Sequence, residues 1–375
     1  MKIGIDVHAA EADGSGNCTY IRQTLKALFA LDPPHVFFLY AMDTDHPFYG
    51  ELPSRPNIRI REIRVTSPLV RIPLCLARAT YRDKLDVLHV QYIAPPFHRG
   101  KLVATVHDLA FLRVPETFTR FFVWRSKVFV RRTARRAARI ITGSRYSYDD
   151  LIATYGLDPR KVELIPYGVS PEFGLGDDGR DASVVAARGI RPPYILCVGR
   201  LNPRKNLVSL ARAFERMKAE TGLPHQLVIV GKEDFETSKT LAAIQEVRRD
   251  IVLTGFIPDA ELPALYRKAE IFIYPSLFEG GGLPLLEAMA AGVPVVAART
   301  TSLPEIVGDA GILVDPLDEG EIRAALIRLA TAAKLRDEFR NKGRARAALF
   351  SWDAAARKTL AVYERIMGDD ASCPQ

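Results

Sequence analysis

Cysteine is scarce: the 375 residues hold four, Cys18, Cys75, Cys197 and Cys373, far apart and with no C-x-x-C pair. Neither a zinc site nor a disulfide framework fits that spacing, and a reducing compartment is expected. No stretch approaches the roughly 18 consecutive apolar residues of a membrane span, and Met1 leads directly into the strand-like Lys2–Val7 without an apolar leader, so the expected location is cytoplasmic. H-E-x-x-H, P-loop, G-x-S-x-G and catalytic-cysteine patterns are missing, as are internal repeats and low-complexity tracts. Acid is missing from Thr117 to Tyr148, where nine Lys or Arg residues stand, although the whole chain has a net charge of only +8. All of that surplus falls before or at Glu172, and the charges beyond it cancel.

What is present is ordinary globular material. Hydrophobic residues make up 48% and charged residues 26%, which excludes disordered, fibrous and collagen-like classes. The length exceeds what one core of usual size supports, so two domains are expected. Short apolar runs alternate with helix-period segments, the pattern of an α/β protein with parallel sheets covered on both faces. Strands are predicted at Lys2–Val7, His35–Tyr40, Ile58–Arg64, Val87–Gln91, Leu102–His107 and Ile140–Gly143, with helices at Thr19–Ala30, Thr119–Arg136 and Tyr146–Tyr155. The plan restarts with strands at Tyr194–Gly199, Gln226–Gly231, Ile251–Thr254, Ile271–Pro275, Pro294–Ala297 and Gly311–Val314, then three helix-period stretches after Pro316. Two doubly wound units follow from this: residues 1–172 with about 352–375, a linker over 173–188 marked by Gly174–Asp181, and residues 189–351.

The segment from Phe278 to Pro294 lies between a buried strand and a helix. Gly280, Gly281 and Gly282 precede Leu283 and Pro284, so backbone amides are bared at a helix N-terminus, the arrangement of a phosphate seat. Glu279 and Glu287 can face one ligand from two directions, and carboxylates suit sugar hydroxyls because each accepts several hydrogen bonds. The blander reading is a tight turn followed by a carboxylate that interacts with the helix dipole. At the end of the first strand of the same half, Gly199-Arg200-Leu201-Asn202-Pro203-Arg204-Lys205 puts Arg200 and Lys205 around a turn, where two cations match a diphosphate. Phe256 and Ile257, after another strand end, offer an apolar wall for a nucleobase or simply begin a helix. In the first half Gly14 and Gly16 form a G-x-G turn without the third glycine of a dinucleotide fingerprint, and His107 ends a strand as a candidate hydrogen-bond donor or acid/base.

Taken together, Val198-Gly199-Arg200 with Lys205-Asn206, the Glu279 and Glu287 pair separated by seven residues, Pro166-Tyr167-Gly168-Val169, the turn at Gly16 and Thr105-Val106-His107-Asp108 resemble the retaining "group 1" glycosyltransferases of GT-B fold, a family 4-like group that includes bacterial polysaccharide mannosyltransferases. The resemblance covers nearly the whole chain. It implies two Rossmann-like domains facing across a cleft, with a C-terminal helix crossing back to the first. It further implies that Arg200 and Lys205 bind the donor diphosphate, Glu279 the transferred sugar and Glu287 the ribose. Gly199 would belong to the same loop, Gly281, Gly282 and Leu283 would give amides to sugar and phosphates, Gly16 would approach the diphosphate from the other domain, and His107 would line the sugar and acceptor site.

The implied reaction moves a hexose, with GDP-mannose preferred and UDP-glucose open, from a nucleotide diphosphate sugar to a glycan or lipid-linked hydroxyl, with no cofactor and no metal. A sugar-nucleotide epimerase or phosphorolytic enzyme, or a non-catalytic binder of nucleotide sugar or nucleic acid, are the rival classes. Gly281 stands where the family usually has a large residue, and Arg145 where it often has Glu. The D-x-D at Asp43-Thr44-Asp45 resembles the metal motif of the other large glycosyltransferase fold, but it lacks a neighbouring phosphate loop and reads as a surface turn. The basic stretch Arg120–Arg139 has three readings. In one it is a domain helix with Trp124 and Val128 toward the core. In the second it lies on an anionic membrane, making the protein peripheral on the inner face of the plasma membrane. The third, nucleic acid, has no module motif to support it.

Overall fold

The computed structural model describes residues 1–177, 179–234, 237–246 and 250–368; Cys373 and the end of the expected 352–375 segment lie outside them. Among these residues thirteen strands pair in parallel to build two sheets. The first has the order β3-β2-β1-β4-β5-β6-β7, from β1 (Lys2–Asp6), β2 (Val36–Ala41), β3 (Ile58–Glu62), β4 (Val87–Gln91), β5 (Lys101–Thr105), β6 (Arg139–Thr142) and β7 (Val162–Leu164). The second has the order β10-β9-β8-β11-β12-β13, from β8 (Tyr194–Val198), β9 (Gln226–Val230), β10 (Ile251–Gly255), β11 (Ile271–Tyr274), β12 (Val295–Ala298) and β13 (Gly311–Val314). Strands covered on both faces read as unbroken apolar runs, and β9 and β11 are buried along their whole length. The α/β class and the two doubly wound sheets match the expectation.

The chain divides into two compact units: residues 1–112, 120–167 and 352 onward, and residues 113–119 with 168–351. The change of unit therefore falls at Tyr167–Gly168 rather than after residue 172. Residues 113–119, expected in the first domain, belong to the second, where the Thr117 carbonyl accepts from Asn202 Nδ2 at 3.3 Å. The expected linker over 173–188 is also corrected, because it contains the helix Asp181–Ala187. Asp181 is buried there by two 2.7 Å bonds from Arg267, a partner too distant in sequence for the Gly/Asp composition to reveal.

Helical residues 68–82 had no clear sequence signal, since Pro68 and Pro73 read as breakers. Pro68 instead starts the segment, and the turn over Arg71–Leu76, which contains Pro73, is a π-helix. The helix Arg120–Arg136 is present, but it buries Ser126, Val130, Thr133 and Ala134. Trp124 and Val128, placed toward the core in one reading, are exposed, because this narrow stripe of mostly small side chains already seats the helix. Among the described residues no helix is long and apolar enough to cross a membrane.

Candidate active site

In the second unit β8 and β11 are hydrogen-bonded neighbours, with Ile271 opposite Ile195, so the loops after their carboxyl ends lie side by side at the point where the strand order reverses. Open parallel sheets bind ligands at such a point. After β8, Asn202 caps a short turn by accepting from Arg204 N at 3.0 Å, and Asn206 takes a left-handed conformation before the helix Leu207–Thr221. The turn throws Arg204 and Lys205 toward the β11 loop. Lys205 Nζ lies 2.6 Å from Glu279 Oε1 and donates to the Tyr274 hydroxyl at 2.5 Å. Arg204 Nη1 donates to the Phe278 carbonyl at 2.7 Å and stands 3.4 Å from Glu279 Oε2.

Burial would raise the Glu279 carboxyl, but the charges of Lys205 and Arg204 outweigh it and hold the group below its ordinary value. Burial pushes the Lys205 ammonium below its ordinary value, with Glu279 opposing the shift. The structure thus joins Lys205 and Glu279, two predicted site residues, directly to each other. It adds Arg204 and Tyr274, which motif spacing alone did not single out.

Gly282 caps the helix Leu283–Ala290 in a left-handed conformation, φ +55°, with Pro284 in the first turn as predicted. A Cβ there would come within 2.8 Å of Ile306 Cδ1, so that side chain would have to shift, and the left-handed backbone itself favours glycine. The preceding loop is anchored on both sides of Glu279: Thr301 Oγ1 accepts from its amide at 3.1 Å, and Ser302 Oγ donates to its carbonyl at 2.9 Å. Gly280 and Gly282 are buried and Gly281 is half-buried. Glu287 is half-buried on the helix and accepts from the Tyr266 hydroxyl at 2.8 Å. Burial raises its carboxyl to about 7, and Asp259 adds to the shift.

Arg200, at the other side of the β8 end, is half-buried and lies 3.8 Å from Asp234. The loop after β9 reaches it because Leu201 N donates to the Lys232 carbonyl. Gly199 lies against Gly231, where any Cβ would strike the Gly199 carbonyl oxygen, so the two strand ends are packed backbone to backbone. Ile257 is buried, whereas the ring of Phe256 is exposed and carries the Lys232 ammonium 4.1 Å from its centroid. Sequence reading missed Lys232 because its partner belongs to a different strand end.

The first unit contains the remaining predicted residues. Gly14 is left-handed, Ser15 caps the helix Gly16–Ala30 by accepting from Cys18 N at 3.2 Å, and the space beside the Gly16 Cα is open. His107 is buried, with Nε2 bonded to Gln91 Oε1 at 2.8 Å and Nδ1 to the Tyr167 hydroxyl at 2.5 Å. The Gln91 oxygen only accepts, so Nε2 carries the proton and Tyr167 donates to Nδ1. Burial lowers the imidazole to about 3, with His89 contributing, so it is neutral at physiological pH. Asp43–Asp45 forms a surface turn in which Asp43 Oδ1 accepts from Asp45 N, while Glu11 accepts from the amides of Met42 and Asp43.

Two family descriptions match this chain: "Glycosyl transferases group 1" over residues 185–346 and "Glycosyltransferase Family 4" over residues 16–173. The O-antigen chain mannosyltransferase B of Escherichia coli is 30% identical over 76% of this chain and 75% of its own length. The chain belongs to the group 1 glycosyltransferases. A second relative, the MMP alpha-(1->4)-mannosyltransferase of Mycolicibacterium hassiacum, is 33% identical over 72% of this chain and 67% of its own length. Among solved structures, sucrose-phosphate synthase from Thermosynechococcus elongatus superposes with a TM-score of 0.79 at 22% identity, covering 98% of this chain and 99% of that one. At that identity it shows the GT-B fold alone. As a member of this family the chain is a glycosyltransferase, similar to bacterial mannosyltransferases.

Proposed function

We propose that this glycosyltransferase transfers mannose from GDP-mannose to a hydroxyl of a cell-surface glycan or its lipid-linked precursor, with retention at the anomeric carbon. The observation that carries the reading is the meeting of Arg204, Lys205 and Glu279 at adjacent strand ends, beside a glycine-capped helix N-terminus. The names of the two relatives support mannose as the sugar.

Breaking the bond between the anomeric carbon and the phosphate oxygen leaves negative charge on the diphosphate and positive charge on the ring. Fixed cations and helix amides stabilise that separation without reorganising. Arg200, Arg204 and Lys205 take the diphosphate in this reading, joined by the amides of Gly281, Gly282 and Leu283. Glu279, kept ionised by its two cations, accepts from sugar hydroxyls, and Glu287 accepts from the ribose. Phe256 and Ile257 border the base. The acceptor oxygen bonds to the anomeric carbon on the face the phosphate leaves, and the acceptor proton passes to the departing phosphate oxygen. No protein nucleophile is required, the cations supply the charge a metal would otherwise bring, and the neutral, doubly bonded His107 is assigned no proton transfer.

Proton NMR of the sugar released in slow donor hydrolysis tests this, since the first product should keep the donor's α configuration. An inverted first product, or conversion of the nucleotide sugar to an epimer, would contradict it.

A further inference from the structure

In the first sheet the connections β3 to β4, β5 to β6 and β6 to β7 all step in one direction, and β1 to β2 steps the other way. Right-handed crossovers therefore place helical residues 68–82 and the helices Arg120–Arg136 and Arg145–Tyr155 on one face, and Gly16–Ala30 on the opposite face. The β4–β5 loop binds the first two of these together. Thr80 Oγ1 accepts from Arg99 N at 3.0 Å, Thr133 Oγ1 accepts from Ala94 N at 2.9 Å, and Arg136 donates to the Pro96 carbonyl.

The outer side of this assembly is apolar. Leu74 is 64% exposed, Phe97 70% and Trp124 59%, with Leu69, Phe121 and Val128 also in solvent. Among the described residues, every large apolar side chain exposed in the first unit belongs to these three segments. The same segments are purely cationic: residues 63–82, 92–101 and 117–148 contain no Asp or Glu. Arg78, Arg99, Lys127, Arg131, Arg132 and Arg135 are exposed there. The fold does not need the outward aromatics, since the helix seats itself through Ser126, Val130, Thr133 and Ala134.

We propose that residues 68–82, 93–100 and 120–136 form one docking face for an anionic lipid bilayer. A second copy would oppose like charges across the contact. A nucleic acid would use the cations but leave aliphatic Leu69, Leu74 and Val128 without a partner. A bilayer with anionic headgroups satisfies both properties, taking the cations at its surface and the aromatic and aliphatic side chains at the acyl boundary. This holds whichever sugar the second unit carries, because it rests on the first unit alone.

Flotation with vesicles of equal parts phosphatidylglycerol and phosphatidylcholine, against pure phosphatidylcholine, tests it. The protein should float with the anionic vesicles only. Leu74→Ser with Phe97→Ser and Trp124→Ser should weaken that binding at least about tenfold, and Arg131→Gln, Arg132→Gln and Arg135→Gln should cost about fivefold per cation at low salt. All these side chains are exposed, so thermal unfolding and nucleotide affinity should be unchanged. No flotation of the unaltered protein, flotation that survives either set of substitutions, or retention on duplex DNA without flotation would overturn the proposal.

Discussion

Tyr266 donates to Glu287 at 2.8 Å in a half-buried setting, and the carboxyl titrates near neutrality, at about 7. An unfolded chain would ionise it near the ordinary value of about 4.3. Between those two values the folded protein holds a proton that the unfolded chain has released, so this group's contribution to stability is full in acid and is lost as pH rises through 7. If Glu287 holds the ribose as proposed, nucleotide binding has the opposite trend, because only the carboxylate accepts from both ribose hydroxyls. Affinity for a nucleoside diphosphate should therefore rise with pH across neutrality, and Glu287→Gln should flatten that rise, measured by calorimetric titration at several pH values. A rise of equal size in the Gln variant would remove Glu287 from the donor site. Glu279 is the contrasting carboxylate: its two cations keep it charged, so it should not follow pH in this range.

Gly282 shows how an element sets the site. The helix Leu283–Ala290 begins at a residue whose φ of +55° costs a side-chain-bearing residue about 1 kcal/mol or more, and whose missing Cβ lets Ile306 approach. Gly282→Ala should lower stability by about 1 to 3 kcal/mol, measured by chemical denaturation, and should also weaken nucleotide binding as the amides shift. An Ala variant with unchanged stability would show that the loop relaxes freely.

Elements of this kind were largely legible in the sequence. Strand after strand from Lys2 to Val314 stands out as an apolar run bounded by turn residues, because burial on both faces leaves no polar side. The exceptions have physical reasons. The strand Val162–Leu164 is three residues long, residues 68–82 hide a helix behind two prolines, and Asp181–Ala187 is held by Arg267 from far along the chain. Site residues followed the same rule. Glu279, Glu287, Lys205 and Gly282 were visible by spacing. Tyr274, Tyr266 and Lys232 matter only through partners on other elements, a relation that no single-segment motif contains.

Across the whole molecule, two sheets of similar plan serve different ends. The second unit gathers Arg204, Lys205 and Glu279 at the β8 and β11 ends although its charges nearly cancel, whereas the first carries the cationic surplus on an exposed apolar face. A net charge of +8 is thus a property of one surface and says nothing of the reaction. Composition could place the division of the chain only near the Gly/Asp-rich segment, because the change at Tyr167 is made by packing, with the Tyr167 ring filling the space beside Gly143.

The central claim is that the second unit binds a nucleotide diphosphate sugar through the cations at its β8 end. Calorimetric titration of the full chain with GDP-mannose, GDP and UDP-glucose tests it most directly. One site per chain is expected, with GDP-mannose bound most tightly and affinity reduced at least about tenfold by Arg204→Ala, the loss of a charge-assisted pair to phosphate. Failure of every nucleotide to bind, or an Arg204→Ala variant that binds as tightly as the unaltered protein, would contradict the account.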